Sequence, residues 1–282
     1  MLHVGQGTTI GALTVFPVWN GRAGVRHYVT DAAALEVAEV EGGAVPQLGA
    51  VNRGSKDVLV LDGQLFEGGW QHRMAARSAV VGAGERGTVD VVCVEQGRWG
   101  GAREQVTRGR RASTYVRGGL DARGADDAQS EVWRRVGRDA VGLPTGSFVE
   151  HLDRAGDRLQ RRVARLRPLP GQTGVLVGVG GHPLLLEDFD HPRTLAEQYD
   201  AILRAAVLDC AGRPAEPTPG RRARRVVERL SRVRPEGPLD ADGRSRLLRA
   251  RTDRLDVAVL ERDGRRVHLR VVSPHHPVVV GA

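Results

Sequence analysis

Residues 89–101, VDVVCVEQGRWGG, place Cys93, Glu95, Arg98 and Trp99 within seven residues at the end of a valine-rich run. Side chains alternate along a strand, so Cys93 and Glu95 share a face with Val89 and Val91. Gly97 lets the chain turn before Arg98 and Trp99. Strand ends that feed loops are where a rigid scaffold presents chemistry. The set offers a thiol, a carboxylate that can act as general base or accept from a hydroxyl, a guanidinium for phosphate, and an indole for stacking. The carboxylate disfavours a thiolate at Cys93, and Arg98 offsets that. The same residues also suit a packed strand end, with Cys93 as a small apolar residue and a Glu95–Arg98 pair at the rim.

A second cluster lies in LDGQLFEGGWQHR, residues 61–73. Asp62, Gln64 and Glu67 lead into Gly68-Gly69, and Gln71, His72 and Arg73 leave it. This reads as a polar hairpin with Gln71 and Arg73 on one face and His72 on the other. Arg with Gln is a grip for phosphate or carboxylate, and a solvated hairpin tip is the other reading. Elsewhere, Asp190 precedes His-Pro and is expected to cap a helix, so no metal site is assigned to Glu187, Asp188, Asp190 and His191. His275 and His276 are too few for a metal site. His268 alternates away from Val267 and Leu269, toward solvent. The glycines of 174–181 fall inside a hairpin and open no helix, so they make no dinucleotide fingerprint.

These residues need elements to hold them. The chain has 282 residues, 40% of them apolar and only 4% aromatic, with 37 glycines and 14 prolines. Such a chain buries a core of Val, Leu and Ala and turns often. Residues 10–19 read as a strand, and 31–40 as a short helix capped by Asp31 that passes into a strand. From Val45 to Cys93 the signal is short strands separated by turns at 52–55, 68–69 and 82–84, which suggests an antiparallel sandwich or barrel-like sheet. Residues 101–125 are basic and glycine-rich and read as a long loop. Helices are expected over 127–142 and 147–166, the second with Leu152, Ala155, Leu159, Val163 and Leu166 in one stripe. A hairpin over 174–189, a helix with Leu195, Tyr199, Ile202, Ala206 and Cys210 inward, a basic helix at 221–233 and a closing hairpin at Asp263-Gly264 follow. The fold class is α+β: a β-rich antiparallel N-terminal half, then a helix–hairpin–helix–hairpin half. The domain is expected to span residues 8–273, divided into a β-rich part (8–100), the basic loop (101–125) and a mixed part (126–273).

The net charge is +8, and Lys56 is the only lysine. A GC-rich coding sequence accounts for that use of arginine. Residues 1–100 hold 8 basic and 10 acidic side chains, whereas 101–282 hold 34 and 24. This asymmetry fits either an anionic partner or solvated helix faces. Two cysteines make no disulfide framework, which points to a reduced, cytoplasmic setting. MLHVGQGTTIG has no basic region followed by an apolar core, so no signal peptide is expected, and no apolar run approaches a membrane span.

The series GALTVFPVW, VNRGSKDVLVLDG, QHR, CVEQGRW, DAQSEVWRRV, PLPGQTGVLVGVGGHPLLLEDFD and VHL, in this order over about residues 8–273, resembles the ARG and rhodanese-phosphatase-superfamily-associated protein domain. The CVEQGRW piece is the most specific. The resemblance implies an association with ADP-ribosylglycohydrolases and rhodanese-like phosphatases, and no particular reaction or cofactor. It implicates Asn52, Arg53, Asp62, Gly63, Gln71, Arg73, Cys93, Glu95, Arg98, Trp99, Gln129 and Trp133. The chain departs from the family pattern at Gln64, where an acidic residue is expected, and at His72, where asparagine is expected. Loss of an acid there favours binding over turnover.

The expectation is therefore a cytoplasmic domain that binds or processes a phosphorylated small molecule of ADP-ribose or nucleotide type. Arg98, Arg73 and Gln71 would hold phosphate or ribose. Glu95 and Cys93 would be the catalytic candidates, and Trp99 or Trp133 would stack on the base. Asp62, Asn52 and Gln129 complete the ligand-binding set. The alternative is a non-catalytic module that binds RNA or a partner protein through the basic C-terminal half.

Overall fold

A computed structural model describes residues 1–21, 24–31, 34–40, 46–121, 125–139, 145–238, 240 and 242–281. The chain forms two compact units, one of Met1–Arg26 with Arg162–Ala282 and one of His27–Arg161. The architecture is mixed α+β. The first three strands, β1 (His3–Val4), β2 (Thr8–Ile10) and β3 (Leu13–Trp19), pair with one another in the first unit.

The second unit carries a closed barrel. After β4 (Tyr28–Val29) comes the segment 31–40, expected as a short helix capped by Asp31 that passes into a strand. The strand is present as β5 (Leu35–Glu39), and residues 32–33, within the expected helix, lie outside the described ones. The reason is alternation: Leu35, Val37 and Glu39 are buried and Glu36 is exposed, and burial along a closed sheet outweighs the helix preference of Ala and Glu. There follow β6 (Gln47–Asn52), β7 (Asp57–Val60), β8 (Leu65–Gly68), β9 (Arg73–Ala75), β10 (Ala79–Val81), β11 (Arg86–Cys93) and β12 (Glu104–Val106). The barrel order is β11-β6-β5-β12-β8-β9, and β10, β7 and β4 form a separate three-stranded sheet. Leu35, Val37, Leu48, Ala50, Phe66, Ala75, Val89 and Val91 fill an apolar core shared with Val58, Val60 and Val81. The barrel-like reading of the N-terminal half thus holds for residues 35–106, while residues 3–19 join the other unit.

The basic stretch 101–125 is not a plain loop. It contributes β12, which closes the barrel between β5 and β8, then α1 (Thr114–Arg117) and a 3-10 turn over Gly118–Asp121. Residues 122–124 lie outside the described ones. Three of its arginines, Arg110, Arg111 and Arg117, turn inward to buried acids, while Arg103 and Arg108 are exposed. Arg110 grips Glu67 at 2.8 and 2.7 Å, and Arg117 reaches Asp62 at 3.0 Å. The helices α2 (Ala125–Asp139) and α3 (Phe148–Val163) follow. The stripe of Leu152, Ala155, Leu159 and Val163 is buried, as its spacing predicts, while Leu166, also expected in it, is half-buried beyond the end of α3; residues 140–142, the expected end of α2, are not described.

The chain then returns to the first unit. β13 (Gly174–Val179) and β14 (His182–Phe189) form the expected hairpin, and α4 (Pro192–Leu208) and α5 (Gly220–Leu230) follow. The closing hairpin of β16 (Asp256–Arg262) and β17 (Arg265–Val272) gains a third strand, β15 (Ser245–Arg251), and α6 (Pro277–Val280) ends the chain. The sheet runs β1-β3-β13-β14-β17-β16-β15, with β2 also on β3. Helix α5 covers one face over Phe16, Val18, Leu176, Leu186, Val257, Leu269 and Val271. Helix α4 packs against β13 and β14 with Leu195, Tyr199, Ile202 and Ala206 buried.

Two expectations here need correction. The cap of α4 is His191, whose Nδ1 accepts from the Arg193 amide at 3.1 Å, and not Asp190. His268 is buried, stacked on Phe189 with ring centroids 4.9 Å apart, and its Nε2 lies 3.5 Å from Glu187. Alternation correctly turned it from Val267 and Leu269, but the opposite face of this sheet is covered as well. No helix among the described residues is long and apolar enough to cross a membrane.

Candidate functional site

Strand register brings the second part of the 61–73 cluster and the 93–99 cluster to one end of the barrel. Cys93 pairs with Arg73, and Arg73 with Phe66, so all three share the inner side. Gln105 pairs with Val37, and Glu39 follows Val37 inward at the same period of two. The interior is therefore apolar along Leu35, Val37, Val89 and Val91, and polar at Glu39, Arg73, Cys93 and Gln105. Mouths of β-barrels are favoured ligand sites.

The centre of this end is an ion pair. Arg73, 1% exposed, donates from Nη2 to Glu39 Oε2 at 3.1 Å and from Nη1 to Cys93 Sγ. The other oxygen of Glu39 accepts from Gln105 Nε2 at 3.0 Å and from the Trp70 amide at 3.2 Å. Gln105 also donates to the Gln71 carbonyl at 3.0 Å. The Gln71 residue whose carbonyl joins this lattice is 0% exposed, and among the described residues neither atom of its carboxamide has a hydrogen-bond partner. Gln105 Oε1 is likewise unpartnered. Such orphans are rare, because each costs about 1–3 kcal/mol, and they call for a specific explanation.

Arg98 holds the cover. Its Nε and Nη2 donate to Glu95 Oε2 at 2.9 and 2.7 Å, Nη1 to the carbonyls of Gly69 and Gly100 at 2.9 and 3.1 Å, and Nη2 to Gly68 O at 3.1 Å. Those five bonds use all the N–H donors a guanidinium has. Arg98 is thus first a clamp on the Gly68-Gly69 turn. Trp99, 56% exposed, lies over Arg73 at 5.9 Å from ring centroid to guanidinium carbon, and the Gly100 amide donates to Trp70 O at 3.4 Å. His72 accepts from the Gly68 amide through Nδ1 at 2.9 Å. Burial lowers its pKa, so the ring is neutral at pH 7 with its proton on Nε2.

The protonation states favour binding over bond-breaking. Burial pushes the Cys93 thiol up to about 11, and Arg73 pulls it only part of the way back. Glu95 is raised by burial, but the bonds from Arg98 and the His72 amide outweigh that and leave it below its ordinary value. A thiol is a poor nucleophile, and a carboxylate held that low is a weak base at neutral pH. Cys210 is also buried, its thiol raised to about 12. The native protein is therefore expected to react with an aromatic disulfide at pH 7.5 about a hundredfold or more slowly than the urea-unfolded chain. A fast single-thiol reaction in the folded protein would refute this. The same shift sets an alkaline limit. Cys93 binds its proton more tightly folded than at its ordinary 9.0, so its contribution is full below about pH 9 and is lost as pH rises through about 11. Urea midpoints measured from pH 8 to 11 should fall across that window.

The family model of the ARG and Rhodanese-Phosphatase-superfamily-associated Protein domain matches residues 1–272, nearly the whole chain and both units. The chain belongs to this family. No curated protein and no solved structure was found to match. The family description states an association with ARG and rhodanese-phosphatase-superfamily proteins.

Of the residues expected to form the site of this ARG and rhodanese-phosphatase-associated domain, Gln71, Arg73, Cys93, Glu95, Arg98 and Trp99 do gather at the barrel end. The others act as supports. Gln129 accepts from the Cys93 amide at 2.8 Å and donates to its carbonyl at 2.9 Å, so α2 extends the ladder of β11 by one side chain. Half-buried Trp133 lies on the same helix, one turn further along. Asn52 donates to Lys56 O and Val81 O and accepts from the Gly54 amide, which makes it a turn former. Asp62 takes Arg117, Arg111 and Ser78 into a buried cluster of its own. The hairpin of residues 61–73 is thus no solvated tip, since Asp62, Gln64, Glu67, Gln71 and Arg73 are all buried. Sequence reasoning missed Glu39 and Gln105. Among the described residues, no group of three His, Cys, Asp or Glu is placed to hold a metal.

Proposed function

We propose that the barrel end binds a ribose-bearing phosphorylated small molecule of ADP-ribose or nucleotide type, without chemical turnover by Cys93 or Glu95. The observation that carries this reading is the Gln71 carboxamide, buried and, among the described residues, unpartnered at both of its atoms. With Gln105 Oε1 it offers one donor and two acceptors, the complement of neighbouring sugar hydroxyls. Trp99 has an exposed ring on which a base can stack. The Arg98 bond to Gly100 O lies at the solvent edge, and it is the one a phosphate oxygen would replace. The association in the family description is consistent with this class of ligand.

The test is a thermal-shift panel of ADP-ribose, NAD and mononucleotides on wild type, Gln71→Leu and Trp99→Ala. A ligand at a hundred times its dissociation constant adds about 2.7 kcal/mol to wild type. Gln71→Leu removes an unsatisfied amide and is expected to raise unliganded stability by about 1–3 kcal/mol while abolishing the ligand shift. No shift with any member, or an equal shift in Gln71→Leu, sinks the reading.

A second reading, RNA or protein binding through the basic half, is supported by Arg158, Arg161 and Arg165. They are exposed and, among the described residues, form no ion pair. It predicts affinity that falls steeply with salt and is lost when those arginines are neutralised.

A further inference from the structure

The first unit contains a cavity of about 460 Å³ whose walls come from four separate segments. Helix α5 supplies Arg222, Arg225, Val226 and Arg229, spaced three and four apart and so on one helix face. The turn between β15 and β16 supplies Asp253 and Arg254, and the start of β14 supplies His182. Val226 is buried and Arg225, Arg229 and Arg254 are exposed. Arg222 is anchored by a 2.6 Å bond from Nη1 to Gly181 O.

The lining sets four arginines against one aspartate. Among the described residues, none of the four is within ion-pair distance of a carboxylate. Other arginines of the same unit are neutralised: Arg26 by Glu197, Arg244 by Asp263, Arg262 by Asp242 and Arg266 by Asp188. A guanidinium stays charged at any working pH, so an anion bound in this concavity relieves the repulsion among four of them. We propose that this cavity binds a small organic ligand carrying two phosphate groups. The α5 arginines and Arg254 approach from different walls, and each fork matches a phosphate. The volume lies within the range of about 300–1,000 Å³ typical of small-molecule sites. RNA is disfavoured, since no Phe, Tyr or Trp lines the cavity to stack on bases.

The test is calorimetric titration of the full chain with inorganic pyrophosphate, ADP, a sugar bisphosphate and a short RNA oligonucleotide. Saturable one-to-one binding of pyrophosphate and the sugar bisphosphate to wild type, and of ADP to Gln71→Leu, is expected, weakened about tenfold or more when Arg225→Ala/Arg229→Ala is added. Preference between ADP and the sugar bisphosphate tells whether the phosphates are linked or separate. Both arginines are exposed, so the pair should melt like wild type, and Arg251→Ala, outside the cavity, should bind like wild type. Gln71→Leu should leave pyrophosphate binding unchanged, which separates this site from the barrel end. Three results would overturn the proposal: no diphosphate binding in the millimolar range, equal binding by the double variant, or RNA binding far tighter than either diphosphate and steeply salt-dependent.

Discussion

Glu39→Ala is expected to destabilise the barrel unit by about 3–5 kcal/mol, the usual cost of leaving one partner of a buried ion pair alone. Glu39 and Arg73 are 4% and 1% exposed, so water cannot replace the lost carboxylate. The variant would take an acceptor from three donors at once, Arg73 Nη2, Gln105 Nε2 and the Trp70 amide, of which Gln105 keeps its bond to the Gln71 carbonyl. It would also remove the Glu39 carboxylate from the guanidinium that donates to Cys93. A double variant, Glu39→Leu with Arg73→Met, should recover much of the loss, because an apolar pair of similar size removes the stranded charge. Urea denaturation read by circular dichroism gives both values. Trp99 fluorescence should change with the Arg73 substitution, since the indole lies over that guanidinium. The exposed pair Glu36–Arg53 is the control, and Glu36→Ala should not move the midpoint. A loss below about 1 kcal/mol in Glu39→Ala would mean that the pair does not organise the barrel end.

The same residues show what was legible in the sequence. Cys93, Glu95, Arg98 and Trp99 stood out because they are contiguous, and alternation along one strand places them without knowledge of the partners. Gln71 and Arg73 were found for the same local reason. Glu39 and Gln105 were not, because their roles depend on register across the barrel. Glu39 ends a segment whose alanines suggest a helix, and Gln105 sits in a three-residue strand inside a basic stretch. The available signal was the period of two in Leu35, Val37 and Glu39, which predicts a carboxylate on the core face. Composition misled in a related way. Arg110, Arg111 and Arg117 read as a solvated loop because Glu67 and Asp62, which neutralise them, lie more than forty residues earlier in the chain. Local periodicity located the hairpins and helices, whereas pairing between distant segments decided which charges are buried. The division of the β-rich half has the same origin. Nothing local in residues 13–19 indicates that β3 pairs with β13 and not with the strands that follow it.

Distant pairing also makes one glycine the most sensitive point of the site. Gly69 has φ +55, and an added Cβ would stand 1.9 Å from Gln105 Nε2 and 2.8 Å from Glu39 Oε1. Those atoms are bonded to each other at 3.0 Å, so neither can withdraw without breaking the lattice around Arg73. Gly69 also gives its carbonyl to Arg98, so a shift of the turn would pull on Glu95 and the Trp99 loop. Gly69→Ala therefore combines a left-handed backbone strain of about 1–2 kcal/mol with the loss of at least one buried charge-assisted bond worth about 1.5–3 kcal/mol. The expected cost is about 3–5 kcal/mol, accompanied by loss of the ligand binding proposed for the barrel end and by faster reaction of Cys93 with thiol reagents. Gly84 is the matched control. Its φ is +71, but no atom lies within 4 Å of an added Cβ, so Gly84→Ala should show the backbone strain alone. If the two variants melt alike, the turn has room that the geometry denies it, and the Glu39–Gln105 contact is not what fixes the shape of the barrel end.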